Sequence, residues 1–304
     1  MHKKLASLIA ILTGIMWGSG GIFVKMLDAY GMDNWTMIAS KNVVAIPLIL
    51  LIMLLTDKNM IKVKGKDLWM FAGAGLLGML GMSYCYNLAL TTISMSLGAV
   101  LLSLQPIFVL ILGRILFKEK LAKKKVLCMG LALIGCVLTS GMLESDSGMS
   151  WTYIGILMGT ISAFLYATYS IFAKFATGKN YNALTMTFYG LLFSLIVSAP
   201  LADWGLFGTF MTDAPVKHGI LMLFQSVITS ALPYILYNYA LKYLDAGVVS
   251  ILSAGAEPAA ATLFGLLFFA EIPTILSVCG IVVAIVALTM LCMPEKKGDK
   301  NVSN

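Results

Sequence analysis

Glu257 and Gln105 each stand directly before a proline, at Glu257-Pro258 and Gln105-Pro106, and both pairs interrupt long apolar runs. Glu257 lies about ten residues into the run 247–269, which at ~1.5 Å per helical residue is ~15 Å, the midplane of a bilayer. A carboxylate at that depth is costly unless it faces water, a partner or a ligand, so its chemistry there is binding of a substrate or a coupling ion. Lys41, some six residues (~9 Å) into the run 35–56, is the second ionisable group inside an apolar run. Two roles suit it. Its stem can reach back to carry the ammonium to the headgroups, or it can face a cavity, pairing with Glu257 or holding a substrate carboxylate or phosphate. Trp17, Tyr166 and Tyr234 are deep aromatic groups with one polar atom each, which suits a cavity for an organic solute. Asn87 and Asn238, beside Tyr86 and Tyr237, lie nearer the ends of their runs, where such residues also serve the membrane interface. These eight side chains are the candidates for substrate binding or ion coupling.

Other chemistries lack their residues. There is no Gly-Lys-Ser/Thr phosphate loop, no HExxH and no pair of carboxylates inside an apolar run, and the two histidines are His2 and His218. ATP hydrolysis, intramembrane proteolysis and lipid modification are therefore not expected, nor is the chain read as an enzyme. The five cysteines all fall in apolar runs without metal or redox spacing and read as packing residues, so no cofactor and no metal is expected.

The elements that must position these groups are membrane spans. Sixty per cent of the 304 residues are hydrophobic and 12% are charged, with a mean hydropathy of +0.92. Soluble domains carry about 25% charged residues, so the chain reads as an all-α integral membrane protein. Ten spans of about 20 residues fit: 5–25, 35–56, 69–90, 95–117, 125–142, 151–173, 183–203, 217–241, 247–269 and 274–293. No small-x-small cleavage site closes the first run, which is taken as a retained span rather than a signal peptide.

A net charge of +7 and a pI near 9.1 would suit nucleic acid, yet the distribution points to a lipid bilayer. Across ten alternating spans, every Lys and Arg except Lys25, Lys41 and Lys217 falls on the side that holds the N-terminus. By the positive-inside rule both termini are cytoplasmic, in a multi-pass protein of the plasma membrane. The Lys123-Lys124-Lys125 cluster then lies near lipid phosphates, and no nucleic-acid partner is expected.

The chain also repeats itself about 150 residues apart. Tyr86-Asn87-Leu88-Ala89-Leu90 returns as Tyr237-Asn238-Tyr239-Ala240-Leu241, and Ile22-Phe23-Val24-Lys25 as Ile171-Phe172-Ala173-Lys174. Pro106 and Glu119 return as Pro258 and Glu271. Five spans separate equivalent positions, an odd number, so the second copy crosses the membrane the other way. The expected organisation is a first five-helix repeat over 1–142, an inverted second repeat over 151–293, and a cytoplasmic tail over 294–304. In such proteins the substrate site lies near mid-membrane between the repeats. Gln105 and Glu257 then mark equivalent depths, whereas Lys41 aligns with Gly190 and breaks the symmetry. Gly14-x-x-x-Gly18, aligned with Ala163-x-x-x-Ala167, allows close helix packing. Glu119 and Glu271 read as capping or packing residues at the ends of the repeats.

Trp17-Gly18-Ser19 followed by Phe23-Val24-Lys25 resembles the opening of EamA-like members of the drug/metabolite transporter superfamily. Ala89-Leu90, Gln105-Pro106 and Lys118-Glu119 resemble that family's first-repeat signature. Tyr239 to Tyr243, Glu257-Pro258 and Ala270-Glu271 resemble the second, and Lys41 matches the basic residue often found in the second helix. The resemblance covers about 5–293. It implies ten helices in a five-plus-five inverted repeat and export of small metabolites or amino acids by secondary coupling. The expected function is thus a secondary transporter working by alternating access, with a small-molecule substrate and proton coupling left open. A passive facilitator or channel is the alternative. A non-transporting receptor would give no reason for charges at mid-depth.

Overall fold

The structure, a computed structural model, describes residues 2–117, 123–139, 143, 152–241, 243–244 and 246–292. Among these residues all regular structure is helical, and ten helices make the passes. α1 comprises His2–Gly18 and Gly20–Ala29; α2 is Asn34–Thr56; α3 runs through Leu68–Gly73, Ala74–Gly81 and Met82–Leu90. α4 comprises Met95–Leu102 and Gln105–Phe117; α5 is Lys123–Thr139; α6 is Tyr153–Gly178; α7 is Ala183–Ser198. α8 runs through Pro215–Ser226, Val227–Ala231 and Leu232–Leu241; α9 is Ala246–Phe269; α10 is Ile275–Cys292. Seven passes are long and apolar enough to cross a bilayer, and α5, α9 and α10 contribute shorter apolar stretches. Side chains such as Leu8, Leu55, Ile115 and Ile275 face outward from the bundle, as a lipid-solvated surface requires.

Several helices start where a polar side chain takes up the orphan amides of the first turn. Asp33 accepts from Thr36 N at 3.0 Å, Thr152 from Gly155 N at 2.9 Å and Asn182 from Leu184 N at 2.9 Å.

Departures from the expected spans have local causes. α4, expected as one span over 95–117, is interrupted at Ser103-Leu104 and restarts at Gln105. Pro106 then falls in the first turn of the new segment, where its missing N–H costs nothing. The aligned Pro258 lies inside an unbroken α9, whose backbone at Ser253 and Glu257 lies against Gly14 and Gly18 of α1. α1 is itself interrupted at Ser19, amid Gly18, Gly20 and Gly21, which favour helix weakly; the Ser19 hydroxyl donates to Met16 O at 2.7 Å. The connection 203–217, expected as loop, holds the short helix Trp204–Asp213, capped by Asp203, which accepts from Leu206 N at 2.9 Å. Wide π turns occur in α3 (Ala74–Gly81) and α8 (Val227–Ala231), at matching places in the two repeats.

The connections confirm the alternation of passes. We call the side holding the N-terminus the near side. There Thr185 Oγ1 donates to Met60 O at 2.8 Å, Tyr189 Oη donates to Ile61 O at 2.7 Å, and Lys179 pairs with Asp67. These contacts tie the α2–α3 connection to α7 and the α6–α7 connection. On the far side Asp203 N donates to Thr36 Oγ1 at 2.7 Å and Thr152 Oγ1 donates to Thr92 Oγ1 at 2.9 Å. Each bond joins segments assigned to the same face. The two repeats therefore run in opposite directions.

Glycines set the closest contacts between the repeats. A Cβ on Gly18 would lie 2.5 Å from Glu257 O. Gly75 of α3 meets Gly190 O of α7 at 2.5 Å, and Gly280 of α10 meets Gly135 O of α5 at 2.7 Å, measured the same way. Ala163 and Ala167, the counterparts of Gly14 and Gly18, are fully buried.

Candidate functional site

Two cavities meet at mid-bundle. The larger, about 370 Å³, runs from Trp17 and Glu257 to Thr177 and Ala183, at the near-side ends of α6 and α7. The smaller, about 120 Å³, lies on the far side and is lined by Lys41, Ser83, Tyr86, Asn87 and Gln225. Trp17, Leu102, Tyr166, Tyr234 and Glu257 line both. These five residues form a thin septum drawn from α1, α4, α6, α8 and α9. Trp17 of α1 and Leu102 of α4 come from the first repeat, and the other three residues from the second, so the septum is at the interface between repeats.

Aromatic packing shapes this layer. The Trp17 ring meets Tyr234 edge-on at 5.7 Å between centroids and lies 5.7 Å from Tyr237 at a tilt of 44°. Tyr166 stands 6.3 Å from Tyr169, one turn along α6. These rings leave Glu257 a wall of aromatic faces, which attract cations as well as apolar groups. Near the restart of α4, Gln105 Nε2 donates to Ser170 Oγ at 2.7 Å, joining α4 to α6 beside the near-side cavity.

The charges are arranged to attract rather than to cancel. Lys41 and Glu257 both line the far-side chamber. Among the described residues no ion pair or hydrogen bond takes up the Lys41 ammonium or the Glu257 carboxylate. Lys41 thus turns to the bundle interior, not to the headgroups. Gln225, 4% exposed, lines the same chamber with its Oε1 buried and, among the described residues, without a hydrogen-bond partner. Two opposite charges, an unsatisfied amide and an aromatic layer can hold a solute that carries both signs.

The family profile of the EamA-like transporters, described as "EamA-like transporter family", matches residues 4–141 and 153–293. The chain belongs to the EamA-like transporter family. It is a membrane transporter of ten helices in two inverted five-helix repeats. A relative named "Uncharacterized transporter YdfC", from Bacillus subtilis (strain 168), is 27% identical over 232 residues, covering 74% of this chain and 72% of its own. An uncharacterized transporter of Clostridium kluyveri is 26% identical over 99% of this chain and 98% of its own. The "Biotin transporter" of Escherichia coli (strain K12) is 26% identical over 83% of this chain and 81% of its own. One solved structure superposes with a TM-score of 0.62 at 15% identity, over 94% of this chain and 96% of that one, which shows a shared fold.

In this transporter seven of the eight candidate residues line the two cavities, six of them being Trp17, Lys41, Gln105, Tyr166, Tyr234 and Glu257. Asn87, the seventh, lines the far-side chamber, but its Nδ2 is already engaged, donating to Asn34 Oδ1 at 2.8 Å. Asn34 Nδ2 in turn donates to Tyr84 O at 2.7 Å, so this amide pair ties α2 to α3. Asn238 falls in α8, and its side chain lies outside the described residues, as does all of Glu119. Ser170, Thr187, Thr229 and Ser230 also line the cavities and were not singled out from sequence. Ser170 stands one helical turn beyond Tyr166, and that spacing was the available signal.

Proposed function

We propose that the chain is a secondary transporter that exports a small zwitterionic metabolite, such as an amino acid, by alternating access. The near-side cavity is the cytoplasmic vestibule in this reading, and both termini are cytoplasmic in the plasma membrane. The observation that carries the proposal is the presence of Lys41 and Glu257, unpaired among the described residues, on the walls of one chamber, with Glu257 also on the septum. A carboxylate group of the solute meets Lys41, and its ammonium meets Glu257 and the rings of Trp17, Tyr166 and Tyr234. Carboxylate recognition at Lys41 also fits the relative named for biotin, whose substrate carries that group.

Coupling follows from the position of Glu257. A carboxylate reached from either cavity in turn can carry a proton one way and a cationic group the other. Such a site needs no second energy source beyond the proton gradient.

The test is a metabolite-panel uptake assay in proteoliposomes, run with and without a pH gradient, on the wild type and Glu257→Gln. The expected result is gradient-driven flux of an amino-acid-like solute that Glu257→Gln abolishes while downhill exchange survives. Flux indifferent to the gradient in both proteins would instead establish a passive facilitator and sink the coupling role.

A further inference from the structure

Three septum residues, Trp17 of α1, Leu102 of α4 and Glu257 of α9, sit on helices whose far-side ends converge on one charged junction. Lys25 Nζ lies 2.7 Å from Glu271 Oε1. The Met95 N–H donates to Glu271 Oε2 at 2.7 Å, and Lys25 Nζ stands 5.6 Å from the centre of the Phe269 ring. Both charged side chains are less than one-fifth exposed, at 19% and 17%, so solvent screens the pair less than it would at an open surface. Glu271 also faces the positive N-terminal end of Met95–Leu102.

The local backbone is built to hold Glu271 there. Ala270 has φ of +53°, a left-handed conformation unusual for a residue with a side chain. It turns the chain so that Glu271 N donates back to Gly265 O at 3.1 Å. Gly265 leaves room for the carboxylate: a Cβ at that position would stand 2.6 Å from Glu271 Oε2.

The parts that Glu271 joins are jointed at mid-membrane. Gly20–Ala29 and Met95–Leu102 are short half-helices, separated from the rest of α1 and α4 by the breaks at Ser19 and Ser103-Leu104. Their repeat counterparts, in α6 and α9, belong to unbroken helices. The broken helices and the ion pair lie on the same, far side, and the larger cavity reaches the near side.

We propose that Lys25 and Glu271 form the latch that shuts the transporter on its far side. Rupture of the ion pair and of the Glu271–Met95 bond releases both half-helices to swing at Ser19 and at Ser103-Leu104. The far-side chamber then becomes the mouth of the exit path. A latch is a differential contact: it stabilises one state and is absent from the other, so weakening it shifts the population by its own worth.

Accessibility tests this without knowledge of the solute carried. Ser83→Cys places a thiol on the chamber wall, in a full chain whose five native cysteines are replaced. A membrane-impermeant methanethiosulfonate reagent is added only from the far side of reconstituted vesicles. Labelling is expected to be slow with the latch intact and at least tenfold faster with Glu271→Gln or Lys25→Met. Lys25→Arg, which keeps the charge, is expected to label like the parent. Thiol labelling of Thr177→Cys from the near side should fall as that of Ser83→Cys rises. Retained elution volume and helical circular dichroism establish that each variant is folded, and Lys25→Met carries the test should Glu271→Gln not fold. Equal labelling of the parent and a folded latch variant overturns the proposal, as does a Lys25→Arg chain that labels as fast as Lys25→Met.

Discussion

Gly18→Ala adds one methyl group where α9 already stands. A Cβ built on Gly18 lies 2.5 Å from Glu257 O and 2.9 Å from the Ala260 Cβ, while ordinary contact begins near 3.4 Å. The two helices must therefore part locally by about 0.9 Å, an overpacking change that costs about 1–3 kcal/mol. Helix propensity works the other way, since Ala is favoured over Gly by about 1 kcal/mol. Gly130→Ala separates the two effects. Among the described residues nothing lies within 4 Å of a Cβ at Gly130, so that variant takes the propensity gain without the clash. The difference between the two alanine variants isolates the clash and should be about 1–3 kcal/mol, or roughly 2–10 °C in unfolding midpoint. Thermal unfolding of the purified protein in detergent measures it. Because the displaced carbonyl belongs to Glu257, uptake into proteoliposomes should fall in Gly18→Ala and hold in Gly130→Ala. A Gly18→Ala protein that unfolds within 1 °C of Gly130→Ala, on the order of experimental error, would refute the close crossing of α1 and α9.

Two further perturbations follow from side chains with defined contacts. Trp17→Ala joins the two cavities, so combined with Glu271→Gln it should let vesicles leak an amino-acid-sized solute without a gradient, whereas Trp17→Phe with Glu271→Gln should leak less; solute efflux with time reads both. His218 is fully buried, stacked at 3.9 Å on the Phe210 ring, and hydrogen-bonded at Nε2 to Tyr30 Oη at 2.9 Å. The carbonyl of Phe210 can only accept, so Nδ1 carries the proton there and Nε2 accepts from Tyr30. His218→Ala strands these partners and should cost about 1–3 kcal/mol, with Tyr30→Phe costing less, measured by thermal unfolding.

The sequence carried the architecture well because membrane spans are written in composition. Each apolar run must satisfy its own backbone hydrogen bonds, which forces helix, and the lysine distribution fixed the alternation that the cross-connection bonds display. Duplication aligned Gln105 with Glu257, and both line the near-side cavity. Breaks inside helices were harder to see. Pro106 marked one, but the helix stops three residues earlier, at Ser103-Leu104, because a proline is tolerated just after a restart. Pro258 has the same sequence context and leaves α9 intact, in a helix packed directly against Gly14 and Gly18 of α1. The helix Trp204–Asp213 lay in a segment too short to read as a span. Long-range partners were invisible. Glu271 was expected to cap or pack, and it does cap Met95–Leu102, but nothing in the sequence paired it with Lys25. Gln225 and Ser170 gained weight only when the fold brought them to the cavity walls.

The septum has an electrical consequence. A cavity of about 370 Å³ holds on the order of ten waters at ~30 Å³ each, so near-side solution reaches almost to the bundle centre. An aqueous inlet carries the potential of its bulk phase with it. The transmembrane voltage then falls mainly across the thin aromatic layer and the closed far half, instead of evenly over the ~30 Å core. A unit charge that leaves Glu257 for the far side crosses most of the field, worth up to ~2.3 kcal/mol per 100 mV. The aromatic layer and the latched far half thus act together as the dielectric of the molecule, and voltage joins concentration as a force on whatever passes them.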